Sequence, residues 1–209
     1  MKHIVEPGDC MASIGEQYGF HWETLWDLAE NADLKKNRKN PNVLFEGDEV
    51  TIPDKRLREE SKPTEAKHRF VRKAVPEKLW IKLVDADHNP RANLDYIIVI
   101  DGDSRRGQTD GNGELVERIP PSAREGKLIL GKGQTEEIKL NLGNLDPITE
   151  VSGVKSRLAN LGFYKGAIDG NLDDATQKAL SAFQRKQGLQ VTGAVDDATR
   201  QKLLKVHGH

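Results

Sequence analysis

Hydrophobic residues follow three different patterns in turn along this chain. Residues 1–55 place short apolar runs at both ends of a segment with helical spacing, and residues 79–130 carry short apolar runs separated by Gly, Asn and Asp. Residues 150–206 carry apolar residues three or four positions apart. Strands repeat every two residues and helices every 3.6. The pattern therefore predicts an α+β multidomain protein with a βααβ module, a small antiparallel β-sandwich and a three-helix bundle.

The first module, residues 1–55, is predicted to run strand, helix, helix, strand. We predict strands over 3–5 and 50–52 and helices over 11–18 and 22–30. Asp9 follows Pro7-Gly8 and is expected to cap the first helix, which Gly19 ends. Residues 31–40 are expected to form a basic link before the second strand.

Four motifs of this module occur in a recognisable order: Val5-Glu6-Pro7-Gly8-Asp9, Ile14 to Gly19, Asn40 to Asp48, and Ile52-Pro53. Together they resemble the LysM domain, whose members bind N-acetylglucosamine-containing glycans in a shallow groove between two loops. By position, the resemblance implies glycan contacts at Gly8, Asp9, Cys10 and Met11 on one side and at Asn42, Val43, Leu44 and Phe45 on the other. Cys10 stands where the family usually has threonine or serine. The alternative is a LysM fold used as a structural adaptor.

Residues 56–75 are dense in charge without an apolar period, which predicts a linker. Residues 76–145 are predicted to form the β-sandwich. Its strands are expected over 79–84, 96–100, 114–119 and 127–130. The turns between them are rich in Asp, Asn and Gly, as at Asp101-Gly102-Asp103.

The motifs of this middle segment are Leu83-Val84-Asp85, Asn89-Pro90, Asp101-Gly102, Gly107 to Gly113, and Ile119-Pro120-Pro121. They resemble the carboxypeptidase-regulatory-like, transthyretin-like β-sandwich. Similar modules occur in surface proteins and in spike and effector proteins of type VI secretion systems. The resemblance implies spacing or docking rather than catalysis.

The acidic turns also contain candidate oxygen ligands for calcium, namely Asp101, Asp103, Asp110, Asn112 and Glu114. An EF-hand loop needs acidic groups at its first, third and fifth positions and glycine at its sixth. Arg105 and Arg106 stand at the last two of these positions. Turn formation explains the aspartates better, because Asp and Asn side chains accept hydrogen bonds from nearby backbone N–H groups.

The last segment, residues 146–209, contains two copies of one motif, a turn followed by a helix cap. Gly166-Ala167-Ile168-Asp169 precedes Asp173-Asp174-Ala175-Thr176, and Gly193-Ala194-Val195-Asp196 runs directly into Asp197-Ala198-Thr199. We predict a helix capped by Thr149 or Ser152 and closed by Gly162, then helices over 174–187 and 197–206. The result is a bundle of three short helices.

This segment closely resembles the peptidoglycan-binding-like three-helix domain found beside cell-wall hydrolases. The resemblance covers residues 150–206 and includes Leu158 to Tyr164, Gly166 to Gly170, Phe183-Gln184, Gly188-Leu189 and Thr192-Gly193. Asp169 and Asp196 are expected to hold turns. Glycan-peptide contacts are predicted at exposed polar groups of the turn, namely Tyr164, Asn171 and Gln184, near the extra residues 170–173.

Composition narrows the possible partners. The chain has 32 basic and 33 acidic residues and a formal charge of -1. It therefore has no excess positive charge to attract the phosphates of nucleic acid. It contains no run of ~18 apolar residues, so we expect no membrane segment. Cys10 is its single cysteine, so no intramolecular disulfide is possible. The N-terminal residues do not resemble a secretory signal.

We predict no catalytic residues, no metal and no cofactor, because none of the six histidines lies in a recognisable triad or zinc motif. The prediction is a non-catalytic, peptidoglycan-binding bacterial protein that is an accessory or delivered component of a contractile, type VI-like injection system. It is expected to be made in the cytoplasm and to act at the cell envelope, in the periplasm or within that apparatus. The alternative is a structural adaptor that contacts spike or baseplate proteins without binding glycan.

Overall fold

The computed structural model describes residues 1–55, 61–68, 77–131, 133 and 136–208. Much of the predicted linker, residues 56–60 and 69–75, lies outside the described residues. Among the described residues the strands are β1 Lys2–Ile4, β2 Glu49–Thr51, β3 Glu77–Lys82, β4 Asp95–Ile100, β5 Asp103–Gln108, β6 Glu114–Ile119, β7 Glu125–Leu130 and β8 Glu136–Asn141. The α-helices are α1 Met11–Tyr18, α2 Trp22–Trp26, α3 Ala32–Arg38, α4 Val151–Asn160, α5 Asp174–Lys186 and α6 Asp197–His207. The protein is therefore α+β, as predicted.

In the N-terminal module, β1 pairs antiparallel with β2, α1 packs against α2, and both helices share one core with β2. Met11, Ile14, Leu25 and Val50 are fully buried in its core. The prediction that Asp9 caps α1 is wrong. Cys10 has the extended backbone of a cap, and its sulfur accepts the Ser13 backbone N–H at 3.4 Å, because the Asp9 carboxylate is held by other donors.

The second helix ends earlier than predicted, and the basic link contains a helix. α2 stops at Trp26, a 3₁₀ turn spans Ala29–Asn31, and α3 follows. Leu28 breaks the helix with an extended backbone. Arg38 fixes the end of α3 through two bonds of 2.7 Å to the Asp48 carboxylate.

The middle segment forms two antiparallel sheets, one of β3 and β6 and one in the order β5-β4-β7-β8. Both sheets contribute to one core, with Leu115 from the first and Ile98, Ile100 and Leu128 from the second. β8 was not predicted, because its charged sequence has only two half-buried apolar side chains, Ile138 and Leu140.

The acidic side chains in the turns of this segment accept hydrogen bonds from the backbone, as predicted. The Asp110 carboxylate accepts the backbone N–H groups of Asn112 and Glu114, both at 2.8 Å. These bonds hold the pKa of Asp110 below its usual value. Asp101 and Gly102 both adopt the positive φ angles of a two-residue hairpin turn.

The helical module packs α4, α5 and α6 around Phe183, with Val154, Leu158, Leu180 and Leu203 also fully buried. α5 and α6 begin alike. The Asp173 carboxylate accepts the backbone N–H of Thr176 at 2.7 Å, and that of Asp196 accepts the N–H of Thr199 at 2.8 Å. These two caps stabilise each helix at its first turn.

The start of α4 differs from the prediction, since neither Thr149 nor Ser152 caps it. Glu150 occupies the cap position without a side-chain bond. Arg157 holds this end instead, donating from one buried nitrogen to the backbone oxygens of Asp146 at 2.9 Å and Gly153 at 2.8 Å. Burial lowers the pKa of Arg157 to about 10, which leaves it charged at neutral pH. Across the described residues, every helix is too short or too polar to cross a membrane.

Candidate functional site

A depression of about 520 Å³ opens on the helical module between α5 and the loop that follows α4. Three alanines of α5, Ala175, Ala179 and Ala182, lie on the side that faces this depression. Their spacing of four and three residues places them on one face of the helix. Small side chains there leave room between the helix and loop 162–166, so the depression follows directly from the sequence of α5.

The rim of this helical depression is positively charged. Lys165 and Lys178 line it, together with the half-buried ring of Phe163. Among the described residues that line it, none carries a carboxylate. An apolar floor suits the face of a sugar ring or an acetamido methyl group, and ammonium groups attract carboxylates. The combination fits a ligand that has both.

The loop beside the depression is anchored by a buried lysine. The side chain of Lys155 has no exposed surface, and its Nζ lies 2.5 Å from an Asp169 carboxylate oxygen and 3.8 Å from an Asp173 oxygen. The same ammonium lies 5.4 Å from the centre of the Tyr164 ring. Tyr164 donates its hydroxyl to the Ala167 carbonyl at 3.0 Å. Two ends of the loop are thereby tied to α4.

The duplicated motif explains this anchor. In the second copy, Asp196 ends the turn and also caps α6. In the first copy, residues 170–173 separate these tasks, so that Asp169 accepts from Lys155 and from the Asn171 backbone while Asp173 caps α5. The extra residues therefore create the ion pair that fixes the loop.

The charges of this anchor predict a pH dependence. Burial lowers the pKa of Lys155, but its bond to Asp169 and the two carboxylate charges outweigh burial and raise it. The bond from Lys155 lowers the pKa of Asp169, and the bonds from Thr176 lower that of Asp173. Carboxylates with lowered folded pKa values stabilise the fold above their unfolded pKa, here 3.8, and lose this contribution as pH falls through the folded value.

We expect the free energy of unfolding of the helical module to fall as pH is lowered from about 5 toward 3. Asp169→Asn should reduce this dependence, because it removes one of the responsible carboxylates. Hydrogen exchange of residues 151–207 across this pH range measures the effect. Asp174→Asn, at an exposed carboxylate of the same segment, serves as the control. An identical pH dependence in wild type and Asp169→Asn would contradict the assignment.

Of the three contacts predicted in this module, only Asn171 is exposed. The expected exposure of Tyr164 and Gln184 is wrong, because the Tyr164 ring covers the buried Lys155 and Gln184 is completely enclosed. The Gln184 amide donates to the Thr192 and Thr199 hydroxyls and to the Ala194 carbonyl. Its oxygen accepts two backbone N–H groups, each at 2.9 Å. The polar atoms of the Gln184 side chain are therefore all hydrogen-bonded within the helical module.

The eight residues predicted to line the N-terminal groove divide by burial. Gly8, Met11, Val43 and Leu44 are buried, whereas Asn42 is exposed and Asp9, Cys10 and Phe45 are partly buried. The guanidinium of Arg38 lies 5.5 Å from the centre of the Phe45 ring. Asn42 and Phe45 are therefore the side chains that this groove offers most directly to a ligand.

The first loop of that groove lies against the β-sandwich. Arg124 donates to the Asp9 carboxylate at 3.0 Å, and this carboxylate also accepts the Ser13 hydroxyl and bonds to His3. A side chain at Gly8 would meet Arg124, and one at Gly143 would meet the Gly8 backbone. The contacts join the N-terminal module to the sandwich at the position where the resemblance implied glycan.

Comparison with known proteins finds similarity within the helical module. Residues 148–203 match a family model described as "Putative peptidoglycan binding domain". The chain is 46% identical over 52 residues to the localization factor PodJL of Caulobacter vibrioides and 37% identical over 54 residues to the N-acetylmuramoyl-L-alanine amidase CwlM of Mycobacterium tuberculosis. These alignments cover 24% and 26% of this chain but 5% and 13% of the two relatives. No solved structure matches the chain.

The sequence indicated the helical module and part of the lining of its depression, including the candidate contact Tyr164, but not the role of the nearby lysines. The motifs contain Tyr164, Gly166 and Ala175, which line the depression, but they assign no role to Lys155, Lys165 or Lys178. The signal for the depression lay in the alanine spacing of α5, and the signal for the loop anchor lay in Lys155, placed among apolar residues of α4. The first was visible in the sequence. The second needed the position of Asp169, which only the folded loop supplies.

Proposed function

We propose that the protein binds peptidoglycan without catalysis, through the helical depression. Peptidoglycan combines N-acetylated amino sugars with short peptides that carry free carboxylates. An apolar floor of alanines with Lys165 and Lys178 at the rim complements both parts. The observation that carries the proposal is the match of residues 148–203 to the peptidoglycan-binding domain model. In this proposal the protein acts where peptidoglycan is exposed, at the cell envelope.

Filling the depression should weaken binding. Ala175 and Ala198 occupy the same position in the two copies of Asp-Asp-Ala-Thr, and both are exposed, but only Ala175 lines the depression. We expect Ala175→Trp in the full chain to lower affinity for purified peptidoglycan at least about tenfold, because the indole occupies the ligand's space. Co-sedimentation with insoluble peptidoglycan measures the change.

Ala198→Trp is the matched control, since it makes the same substitution at the equivalent exposed site. It should leave retention unchanged. Equal retention of both variants would place the binding site elsewhere. Equal loss in both would point to a general effect of the tryptophan on the module.

The adaptor role has one observation in its favour. The Asp9–Arg124 pair and the Gly8–Gly143 approach use the first groove loop for a contact between modules. This supports an N-terminal module that works through protein contacts. The connection to a spike or baseplate of an injection apparatus stays a prediction, and co-purification of the tagged full chain with such proteins tests it.

A further inference from the structure

The outward side of the β3–β6 sheet exposes a large aromatic residue. Trp80 is 49% exposed, and Val116, its direct partner on β6, is 55% exposed. The inward-facing Leu79 and Ile81 pack on the sandwich core, so the strand does not need Trp80 for its own packing. Exposed tryptophan beside an exposed valine leaves apolar area in water that a bound partner would cover.

Two cationic side chains without a carboxylate partner among the described residues lie beside this apolar pair. Lys78 lies directly opposite Arg118 in the sheet register. Like charges in directly opposed positions destabilise a sheet. Within the described residues, neither side chain pairs with a carboxylate. On the other side of Trp80, Lys82 lies 3.6 Å from Glu114, its cross-strand partner.

The second sheet contains a comparable pair of directly opposed cations, each of which has a carboxylate partner. Lys127 lies directly opposite Lys139 on β7 and β8. Each is matched by a carboxylate, Lys127 by Glu137 at 3.5 Å and Lys139 by Glu125 at 3.9 Å. Lys78 and Arg118 have no such carboxylate among the described residues, so an anionic group bound from outside would relieve their repulsion.

The face also lies next to the helical module. Cζ3 of the Trp80 ring is 3.6 Å from the position that a side-chain carbon on Gly208 would take, at the end of α6. The ring of His88 in the sandwich stacks on Phe163 with a centroid distance of 5.9 Å, and Phe163 lines the helical depression. The sandwich therefore contacts the helical module at two points, one of them beside the depression.

We propose that Trp80, Lys78 and Arg118 form a second peptidoglycan subsite, which binds a sugar ring on the indole and a peptide carboxylate between the two cations. The inference rests on the proposed function of the helical module. Sugar rings present C–H faces that pack on aromatic rings, and guanidinium and ammonium groups bind carboxylates. Two subsites on one polymer raise the apparent affinity, because the second contact is intramolecular.

Trp80→Ala in the full chain tests the indole. The exposed position means that the fold should be retained, as judged by an unchanged thermal midpoint. We expect about tenfold weaker co-sedimentation with purified peptidoglycan, because one of two linked contacts is lost. Soluble peptidoglycan fragments should also shift the tryptophan emission of wild type, and this shift should be absent in Trp80→Ala, although Trp22 and Trp26 remain.

Lys78→Ala/Arg118→Ala tests the cations, with Lys127→Ala/Lys139→Ala as the matched control pair. The first should weaken binding and the second should not. Wild-type affinity in both Trp80→Ala and Lys78→Ala/Arg118→Ala, together with loss in Ala175→Trp, would overturn the second subsite and leave the proposed function standing. Wild type that is not retained on peptidoglycan at all would overturn both.

Discussion

Gln184→Ala is expected to destabilise the helical module by about 3 kcal/mol, because it removes the bonds of a fully buried amide. The backbone N–H groups of Thr192 and Gly193 would lose their acceptor, and the Thr199 hydroxyl would lose a donor. Buried polar groups left without partners cost far more than a lost surface bond. The second turn of the module depends on this one side chain.

The three tryptophans lie outside the helical module, so tryptophan emission does not report on its unfolding. Hydrogen exchange of residues 151–207 in the full chain measures the loss of stability instead. Gln177→Ala, at an exposed position of the same helix, is the control and should exchange like wild type. A Gln184→Ala protein with wild-type protection that fails to bind peptidoglycan would contradict the structural role and restore Gln184 as a ligand contact.

Asn31→Ala is expected to cost the N-terminal module about 3 kcal/mol for the same physical reason. The buried Asn31 amide donates to the Leu25 and Thr51 carbonyls, both at 2.9 Å, and accepts the Thr51 backbone N–H at 2.8 Å. It thus joins the end of α2 to the edge of β2. Removing it leaves the Thr51 N–H and carbonyl without this partner, whereas the Leu25 carbonyl still accepts the Leu28 N–H at 3.3 Å.

Urea unfolding followed by tryptophan emission checks this expectation in a Trp80→Phe background, where Trp22 and Trp26 of the N-terminal module are the only reporters. Asn37→Ala, at an exposed position on α3, should leave the midpoint near that of the background. Equal midpoints for Asn31→Ala and Asn37→Ala would show that the buried amide does not hold the module.

The two buried amides mark the limit of what the sequence could predict. Apolar spacing gave α1, α5, α6 and β6 nearly residue by residue, because burial of one face is a local pattern. It did not give the role of Asn31, which joins residues 20 positions apart. For the same reason residues 31–40 were predicted as a link, although the bond between Arg38 and Asp48 supports a helix there.

For the candidate site too, local sequence patterns could be predicted and contacts between distant residues could not. The duplicated turn indicated the helical module, but the helical depression is lined by residues 162–166 and not by the extra residues 170–173. Exposure was harder to predict, since Gln184 and Asn171 are both polar residues near a turn and only the folded chain separates them. Whether Asn171 and the N-terminal groove residues contact glycan stays a prediction.

Retention of the full chain on purified, insoluble peptidoglycan tests the central claim most directly. Wild type and Ala198→Trp should sediment with the polymer, and Ala175→Trp should stay largely in solution, because only Ala175 lines the helical depression. Wild type that remains in solution with peptidoglycan, or Ala175→Trp that sediments as wild type does, would contradict the claim.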